Sequence, residues 1–172
     1  MTDMMLTGVE RFFGEDEVVV SKTDLAGRIT YANRVFQRVA GFSEAELIGK
    51  PHNLIRHPDM PRCAFKLLWD TIEAGQECFA YVVNRARNGD HYWVFTHVTP
   101  SLDAQGRIVA YHSNRRTPNR RVVEKVIPLY QALVAEEQRH EDRKEGIASS
   151  FNMVVDLLTQ ARMEYHEWLF SL

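Results

Sequence analysis

The segment Arg56-His57-Pro58-Asp59 holds a concentrated set of side chains that could bind a ligand. Arg56 offers a fixed fork of N–H donors that suits a phosphate, and His57 can donate from either ring nitrogen. Pro58 and the nearby Pro61 restrict the backbone without a regular helical ladder. These properties suit binding a diphosphate or the polar edge of a ring. The residues leave one alternative open, an Arg56–Asp59 ion pair that only stiffens the loop.

A second polar set lies on three predicted strands, 78–85, 92–98 and 107–115. Residues two apart in a strand share a face, so Asn84 and Arg115 belong to a face whose other side chains are often small. Both polar groups need partners when buried. Two interpretations stay open, a ligand cavity or a core filled from the helices. The face comprises Cys78, Ala80, Val82, Asn84, Tyr92, Val94, Thr96, Val98, Tyr111, Ser113 and Arg115, and the filling residues would be Phe36, Leu54, Phe65 and Trp69.

The histidines and cysteines do not have the spacing of a metal site. His91 and His97 share a strand face but lie about 20 Å apart at the rise of a strand. His52 and His57 are five residues apart in the sequence, whereas a helical ligand pair prefers four. The two cysteines form neither a disulfide framework nor a zinc pattern. We therefore predict no metal site.

The elements that must position these residues follow from local signals. Asn33 is a favourable N-cap for a short helix that Gly41 ends, and Ser43 with Glu46 forms a capping box. Pro61 suits the first turn of a helix that runs to about residue 74. Asn88-Gly89 predicts a type I′ hairpin turn. The predicted order β-β-α-α-α-β-β-β indicates an α+β domain with one antiparallel sheet.

The composition of the chain argues against several classes of function. The chain has 172 residues, 21 Lys and Arg and 23 Asp and Glu, so its formal charge is −2. This balance argues against nucleic-acid and membrane-surface binding. No apolar run approaches the roughly 20 residues of a membrane span, and no signal peptide is evident. The sequence therefore predicts a cytoplasmic location.

Four strings, together with the element order, carry a family resemblance: TDLAGRITYAN (23–33), GFSEAELIGKPHNLIRHPDMP (41–61), NRARNGDHYWV (84–94) and PLY (128–130). They resemble PAS domains, and in particular the FAD-binding sensor modules of bacterial aerotaxis and energy-taxis receptors. The resemblance implies a five-stranded antiparallel sheet with a block of short helices on one face. We expect an N-terminal lead (1–16), a PAS sensor domain (17–117) and a C-terminal helical extension (118–172).

The same resemblance implies an FAD site between the helical block and the sheet face that carries Asn84 and Arg115. Cys78 stands where flavin-binding relatives commonly carry a Trp. Haem, with His57 or His52 as axial ligand, is the alternative cofactor. The cofactor-binding residues predicted in this way are Asn33, Arg56, His57, Asp59, Trp69, Cys78, Asn84, Tyr92, Val94 and Arg115.

Two apolar surfaces need cover. Trp93 and Phe95 lie on the opposite face of the sheet, where exposure would be costly. After a predicted break at Gly146, apolar residues follow an unbroken heptad spacing. They are Ile147, Phe151, Val154, Leu158, Ala161, Tyr165, Trp168 and Leu172. We expect this helix to dock on a sheet, on another helix, or across a homodimer.

The predicted function is a cytoplasmic sensor that binds FAD and relays redox, oxygen or energy status to a signalling protein, such as a chemoreceptor or a kinase-type output. No nucleophile, base and orienting group recur at a usable spacing, so we do not predict an enzyme. A ligand-free PAS interaction or oligomerisation module, or a haem-binding gas sensor, remains the alternative.

Overall fold

A computed structural model describes residues 5–172, so the first four residues of the predicted lead lie outside it. Within these residues two strands, three helices, three strands and three helices follow one another, with one 3₁₀ turn at His52–Ile55 before the third helix. The strands are β1 (Val19–Thr23), β2 (Ile29–Ala32), β3 (Cys78–Arg85), β4 (His91–Leu102) and β5 (Ile108–Arg116), and the helices are α1 (Arg34–Ala40), α2 (Glu44–Leu47), α3 (Arg62–Glu73), α4 (Arg120–Gln138), α5 (Arg143–Ala161) and α6 (Tyr165–Ser171).

The five strands form one antiparallel sheet in the order β2-β1-β5-β4-β3. In the β3–β4 hairpin Asn84 pairs with Tyr92, and in the β4–β5 pair Thr96 lies opposite Arg115. The central β5 also pairs with β1, which sets Ser21 opposite Ser113. The predicted α+β fold is confirmed. Because the pairings are in register, the predicted polar residues share one face, here called the inner face.

Local capping explains the helices that stand against the inner face. The side chain of Asn33 accepts a hydrogen bond from the Phe36 amide, and Gly41 ends α1 in the left-handed conformation (φ 75°). Ser43 and Glu46 form the predicted capping box of α2. α3 is found where expected, but Pro61 is its N-cap rather than a residue of its first turn. Each of these starts and stops depends on residues close in sequence, which is why the sequence predicts them.

The hairpin turn between β3 and β4 differs from the type I′ turn that Asn88-Gly89 predicts. Gly89 has a positive φ of 93°, but Asn88 does not, and a type I′ turn needs both. The Gly89 amide donates to Ala86 O (3.1 Å), and the Ala86 amide donates to Asp90 O (2.8 Å). This pattern fits a type I turn followed by a left-handed glycine. The longer loop allows Asp90 to accept hydrogen bonds from Thr7 and Arg11 of the N-terminal lead.

The C-terminal helices also differ from expectation. Gly146 does not interrupt a helix, because it lies inside α5. The predicted unbroken heptad helix is wrong: α5 ends where Arg162 adopts the left-handed conformation (φ 55°), and α6 begins at Tyr165. The break redirects the last aromatic residues, so that Trp168 and Leu169 pack into the main core while Phe151 contacts Lys66 of α3.

The C-terminal helices cover the outer face of the sheet, which carries Phe79, Trp93 and Phe95. Tyr130 of α4 stacks against Trp93 with ring centroids 6.1 Å apart. Phe170 of α6 meets Phe79 at 5.1 Å and Phe95 at 6.1 Å. The terminal helix therefore docks on a sheet of its own chain, one of the three arrangements predicted.

The free edge of β3 is closed by side chains rather than by another strand. The Tyr130 hydroxyl donates to Tyr81 O (2.6 Å), and the Tyr165 hydroxyl donates to Phe79 O (2.9 Å). The Phe79 amide donates to Nε2 of His166 at 3.3 Å. Backbone groups that β4 leaves unpaired therefore have partners in α4 and α6. No helix between residues 5 and 172 combines the length and the apolar composition needed to cross a membrane.

Candidate functional site

A cavity of about 220 Å³ lies between the helical block and the inner face of the sheet. The sheet contributes one wall through β1, β3, β4 and β5, while α3 and the 3₁₀ turn contribute the other. Its lining combines apolar rings with a few polar groups, as is usual for small-molecule sites. The lining residues are Ser21, Thr23, Ala26, Gly27, Pro51, His52, Asn53, Ile55, Arg56, Phe65, Leu68, Trp69, Ile72, Val82, Asn84, Thr96, Val98, Tyr111, Ser113 and Arg115.

Arg115 is the most unusual member of this lining, because its guanidinium is buried and none of the described residues gives it an anionic partner. The residue is only 2% exposed. Its Nε donates to Ser113 Oγ (3.0 Å), and its Nη2 donates to Ser21 Oγ and to Nε2 of His52. Nη1 has no hydrogen-bond partner among the described residues. Burial lowers the pKa of Arg115 to about 10, so the group stays charged at neutral pH.

His52 is held as a neutral imidazole beside this cation. A guanidinium can only donate, so Nε2 of His52 must accept from Arg115 at 3.0 Å. The ring stacks on Phe36 with centroids 5.9 Å apart. Burial, reinforced by the charge of Arg115, lowers the pKa of His52 to about 3. The site therefore presents one fixed positive charge and a neutral histidine at physiological pH.

Arg56 supplies a second guanidinium to the lining. It lies over the ring of Phe65, 4.0 Å from the centroid, and its Nε is buried without a partner. Burial is the main cause of its lowered pKa, followed by repulsion from Arg143 and Arg62. The Arg56–Asp59 ion pair left open by the sequence is not among the ion pairs of residues 5–172. Asp59 instead lies 3.7 Å from Nδ1 of His57.

Four of the predicted site residues meet at the cavity: Arg56, Trp69, Asn84 and Arg115. The Asn84 side chain makes no hydrogen bond with other described side chains or backbone, although the residue is 4% exposed. Its amide therefore keeps two donors and an acceptor for a ligand. Trp69 forms the neighbouring wall in edge-to-face contact with Tyr111, at a centroid distance of 5.4 Å.

Three predicted residues of the helical block lie away from the lining. Asn33 uses its side chain inside the fold, accepting from the amides of Val20 and Phe36. His57 is buried with its ring 5.7 Å from that of His91. The side chain of Asp59 is 75% exposed. Their assignment to a cofactor remains a prediction, and the structure gives Asn33 a clear structural task.

Three predicted residues of the sheet are also outside the lining. Val94 and Tyr92 are fully buried in the main core, and the Tyr92 hydroxyl lacks a partner among the described residues. Cys78 belongs to a smaller cluster with Ile72, and burial raises the pKa of its thiol to about 11. Such a thiol stays protonated at neutral pH. Their roles toward a cofactor are likewise untested predictions.

The structure leaves a cavity at the inner face, and residues that the sequence analysis expected to fill the core form part of its wall. Phe65 and Trp69 line the cavity while also packing against the hydrophobic clusters, and Phe36 packs beneath His52 and Arg115. Ser21 and Thr23 of β1 are lining residues that the sequence analysis missed. Residues two apart share a face of β1, which groups Ser21 with Thr23, but only the pairing with β5 brings the Ser21 hydroxyl to Arg115.

Comparisons with known proteins agree with this architecture. The aerotaxis receptor of Escherichia coli (strain K12) is 43% identical over 121 residues, which is 70% of this chain and 24% of the receptor. The nitrogen fixation regulatory protein of Klebsiella pneumoniae is 34% identical over 99 residues, which is 58% of this chain and 20% of that protein. The chain thus spans about a quarter or less of the length of these relatives.

Solved structures share the fold at low sequence identity. A light-oxygen-voltage domain studied with a flavin analogue has a TM-score of 0.59 at 17% identity, covering 64% of this chain and 84% of that one. The dark structure of the blue-light photoreceptor Aureochrome1 LOV has a TM-score of 0.57 at 22% identity, covering 64% and 82%. Residues 29–115, just over half of the chain, match the PAS fold family model. The chain belongs to the PAS fold family.

Proposed function

We propose that this chain is a cytoplasmic PAS sensor that binds FAD and relays redox, oxygen or energy status to a signalling partner. The observation that carries the proposal is the buried guanidinium of Arg115, a residue of the cavity lining, whose Nη1 has no hydrogen-bond partner among the described residues. A buried cation with only neutral partners is costly unless a ligand supplies negative charge or acceptors. The flavin ring offers carbonyl and nitrogen acceptors along one edge.

The residues of the cavity fit a flavin in their donor set. Asn84 and Arg115 would hold the polar edge of the ring, and Arg56 would meet the phosphates. Their unsatisfied donors, together with the walls formed by Phe65 and Trp69, support this assignment. When bound, flavin supplies one- and two-electron redox chemistry.

The chain's own contribution would be electrostatic. Arg115 stays protonated because its pKa of about 10 lies well above neutral pH. Its charge stabilises electron density that develops on a nearby acceptor, more strongly in a buried site than in water. His52 cannot compete for that density, because burial and Arg115 hold it neutral. A change of charge on the ligand would therefore be registered mainly by Arg115 and Asn84.

Haem receives less support from the site. His57 does not line the cavity, and Nε2 of His52 already accepts from Arg115 at 3.0 Å. An axial ligand needs a free ring nitrogen directed at the iron. In a ligand-free interaction module, the buried donors of Arg115 and Arg56 that lack a partner among the described residues would stay without one.

The proposed partner is a chemoreceptor or a kinase-type protein, in line with the kinds of protein that the relatives are. One relative is an aerotaxis receptor, and another is a blue-light-activated histidine kinase, 24% identical over 87 residues. The surfaces predicted for a homodimer, the outer face and the C-terminal helices, contact each other within the chain. Dimerisation remains a prediction that light scattering of the full chain tests.

The visible spectrum of the freshly purified protein tests the cofactor directly. We expect a flavin absorption band, and after removal of the cofactor we expect FAD to restore it. Arg115→Gln should weaken FAD binding at least tenfold, because its charged donors are lost. Arg116→Gln, at the exposed neighbouring position, is the matched control and should bind like the wild type. A colourless protein that does not take up FAD would contradict the proposal.

A further inference from the structure

A single carboxylate, that of Glu137, joins three helices of the fold. Glu137, near the end of α4, is 8% exposed. Its Oε2 accepts from the Arg62 amide (3.1 Å), and its Oε1 accepts from the Cys63 amide (2.9 Å). Both amides belong to the first turn of α3. Oε1 also accepts from the hydroxyl of Ser150 in α5 at 3.0 Å.

These contacts satisfy a need that α3 cannot meet locally. The first amides of a helix have no partner inside the helix, and a side chain at the N-cap usually accepts from them. The N-cap of α3 is Pro61, which makes no side-chain cap bond. Glu137, 75 residues after Arg62, takes that role. Its negative charge also suits the positive end of the α3 dipole.

The region around Glu137 also holds α5 against α4. Ser150 is fully buried, and Gly146 lies one helical turn before it. A Cβ atom at Gly146 would come within 2.7 Å of the backbone oxygen of Glu137. Only glycine therefore allows the two helices to approach this closely. α3, α4 and α5 thus meet around one buried carboxylate, and no cation forms an ion pair with it among residues 5–172.

α3 connects this point to the cavity. The helix has 12 residues, and its amides at Arg62 and Cys63 bind Glu137, while Phe65 and Trp69 on later turns line the cavity. A helix is a stiff element that can carry a displacement from one of its ends to the other. A shift of the cavity wall therefore changes the distance between the Glu137 carboxylate and the amides that it caps.

We propose that Glu137 is the coupling residue through which the state of the cavity controls the packing of α4 and α5. The identity of the ligand rests on the proposed function, but the coupling itself does not. An equilibrium coupling acts in both directions, so weakening the Glu137 contacts must also change the affinity of the cavity for its ligand. Glu137 is a positioning residue here, because it acts on the cavity through α3.

A matched pair of variants tests the coupling. Glu136 is the control, since it also binds α5, through Ser149 Oγ at 2.6 Å, but its other partners, His140 and Arg139, are in the same segment. In Glu137→Gln we expect amide hydrogen exchange at positions 62 and 63 to rise about tenfold and FAD binding to weaken threefold or more. Glu136→Gln should leave both quantities within twofold of the wild type. Equal effects of the two variants would overturn the proposal.

A milder variant keeps the proposal testable if Glu137→Gln does not fold. Ser150→Ala removes one bond to the carboxylate and leaves both α3 amides capped. We expect exchange in α5 to accelerate several-fold and FAD affinity to fall below that of the wild type. Unchanged exchange and affinity in this variant would count against a role for the α5 contact.

A last measurement does not use FAD, so that failure of the proposed function and failure of the coupling can be told apart. Trp69→Ala perturbs the cavity wall directly. In the otherwise wild-type protein it should raise amide exchange in α5 at least threefold, whereas in the Glu137→Gln background it should have no further effect. Equal effects of Trp69→Ala in both backgrounds would show that Glu137 does not transmit the change.

Discussion

The two faces of the sheet differ sharply although the same strands build them. The inner face carries small and polar residues, and its donors at Arg115 are incompletely satisfied. The outer face carries Phe79, Trp93 and Phe95, and aromatic residues of α4 and α6 pack against it. One face therefore leaves room and unpaired donors, whereas the other is closed by ring contacts.

Alternate residues of one strand therefore belong to surfaces with different roles. Thr96 faces the cavity, whereas its neighbours Phe95 and His97 face outward. Changes on the outer face should act on stability and assembly, and changes on the inner face should act on ligand binding. Three experiments would sharpen or break this distinction.

The largest effect should come from deleting residues 147–172. The deletion removes α6 and most of α5, which exposes Phe79 and Phe95 on the outer face. At about 2 kcal/mol for each large side chain returned to water, we expect the free energy of unfolding to fall by roughly 4 to 6 kcal/mol. Urea denaturation measures the loss, and light scattering should show self-association. Unchanged stability and mass would show that these helices do not cover the sheet.

An intermediate effect should come from pH, through His52. The unfolded chain takes up a proton on this histidine below pH 6.5, whereas the folded chain resists protonation until about pH 3. The unfolded state therefore binds more protons in this window, and stability falls as the pH falls. The limiting slope is about 1.4 kcal/mol per pH unit. Urea titrations between pH 7 and pH 4 should show a shallower loss in His52→Gln than in the wild type.

His112→Gln, on β5, provides the comparison for that experiment. His112 contacts Asn114 outside the cavity, at 3.0 Å. If both substitutions change the slope equally, the acid sensitivity does not originate in the inner face.

The smallest effect on stability should come from Asn84→Ala. The side chain makes no hydrogen bond with other described groups, so its removal should change the free energy of unfolding by less than about 1 kcal/mol. FAD affinity should nevertheless fall clearly, because the amide is proposed to contact the ring. Asn114→Ala on β5 is the control and should retain affinity. Severe destabilisation in Asn84→Ala would instead identify a structural role in the core.

The sequence predicts the fold where local signals decide it. Asn33, Gly41 and the Ser43–Glu46 pair act on amides a few residues away, so no tertiary information is needed. Alternation along β3 and β4 likewise groups Asn84 with Val82 and Thr96 on one face, and the family resemblance, not the alternation, assigns that face to the cavity.

The contacts of Ser21 and Glu137, which the sequence did not predict, join residues that are far apart in the chain. Ser21 reaches Arg115 only through the β1–β5 register, and Glu137 reaches α3 across 75 residues. The αL conformation of Arg162 carries no glycine signal, so the heptad spacing concealed the break between α5 and α6. Periodicity describes which residues share a face, but it does not say where a helix stops.

The closed edge of β3 has a consequence for solubility. An edge strand with free amides and carbonyls is a template for pairing with a strand of another molecule, and natural proteins block such edges. Here the hydroxyls of Tyr130 and Tyr165 and the ring of His166 occupy those groups. A fragment ending at residue 117 would lack all three, and Phe79 and Tyr81 would present their backbone to any neighbouring strand. The C-terminal helices therefore also act as a guard against edge-to-edge aggregation.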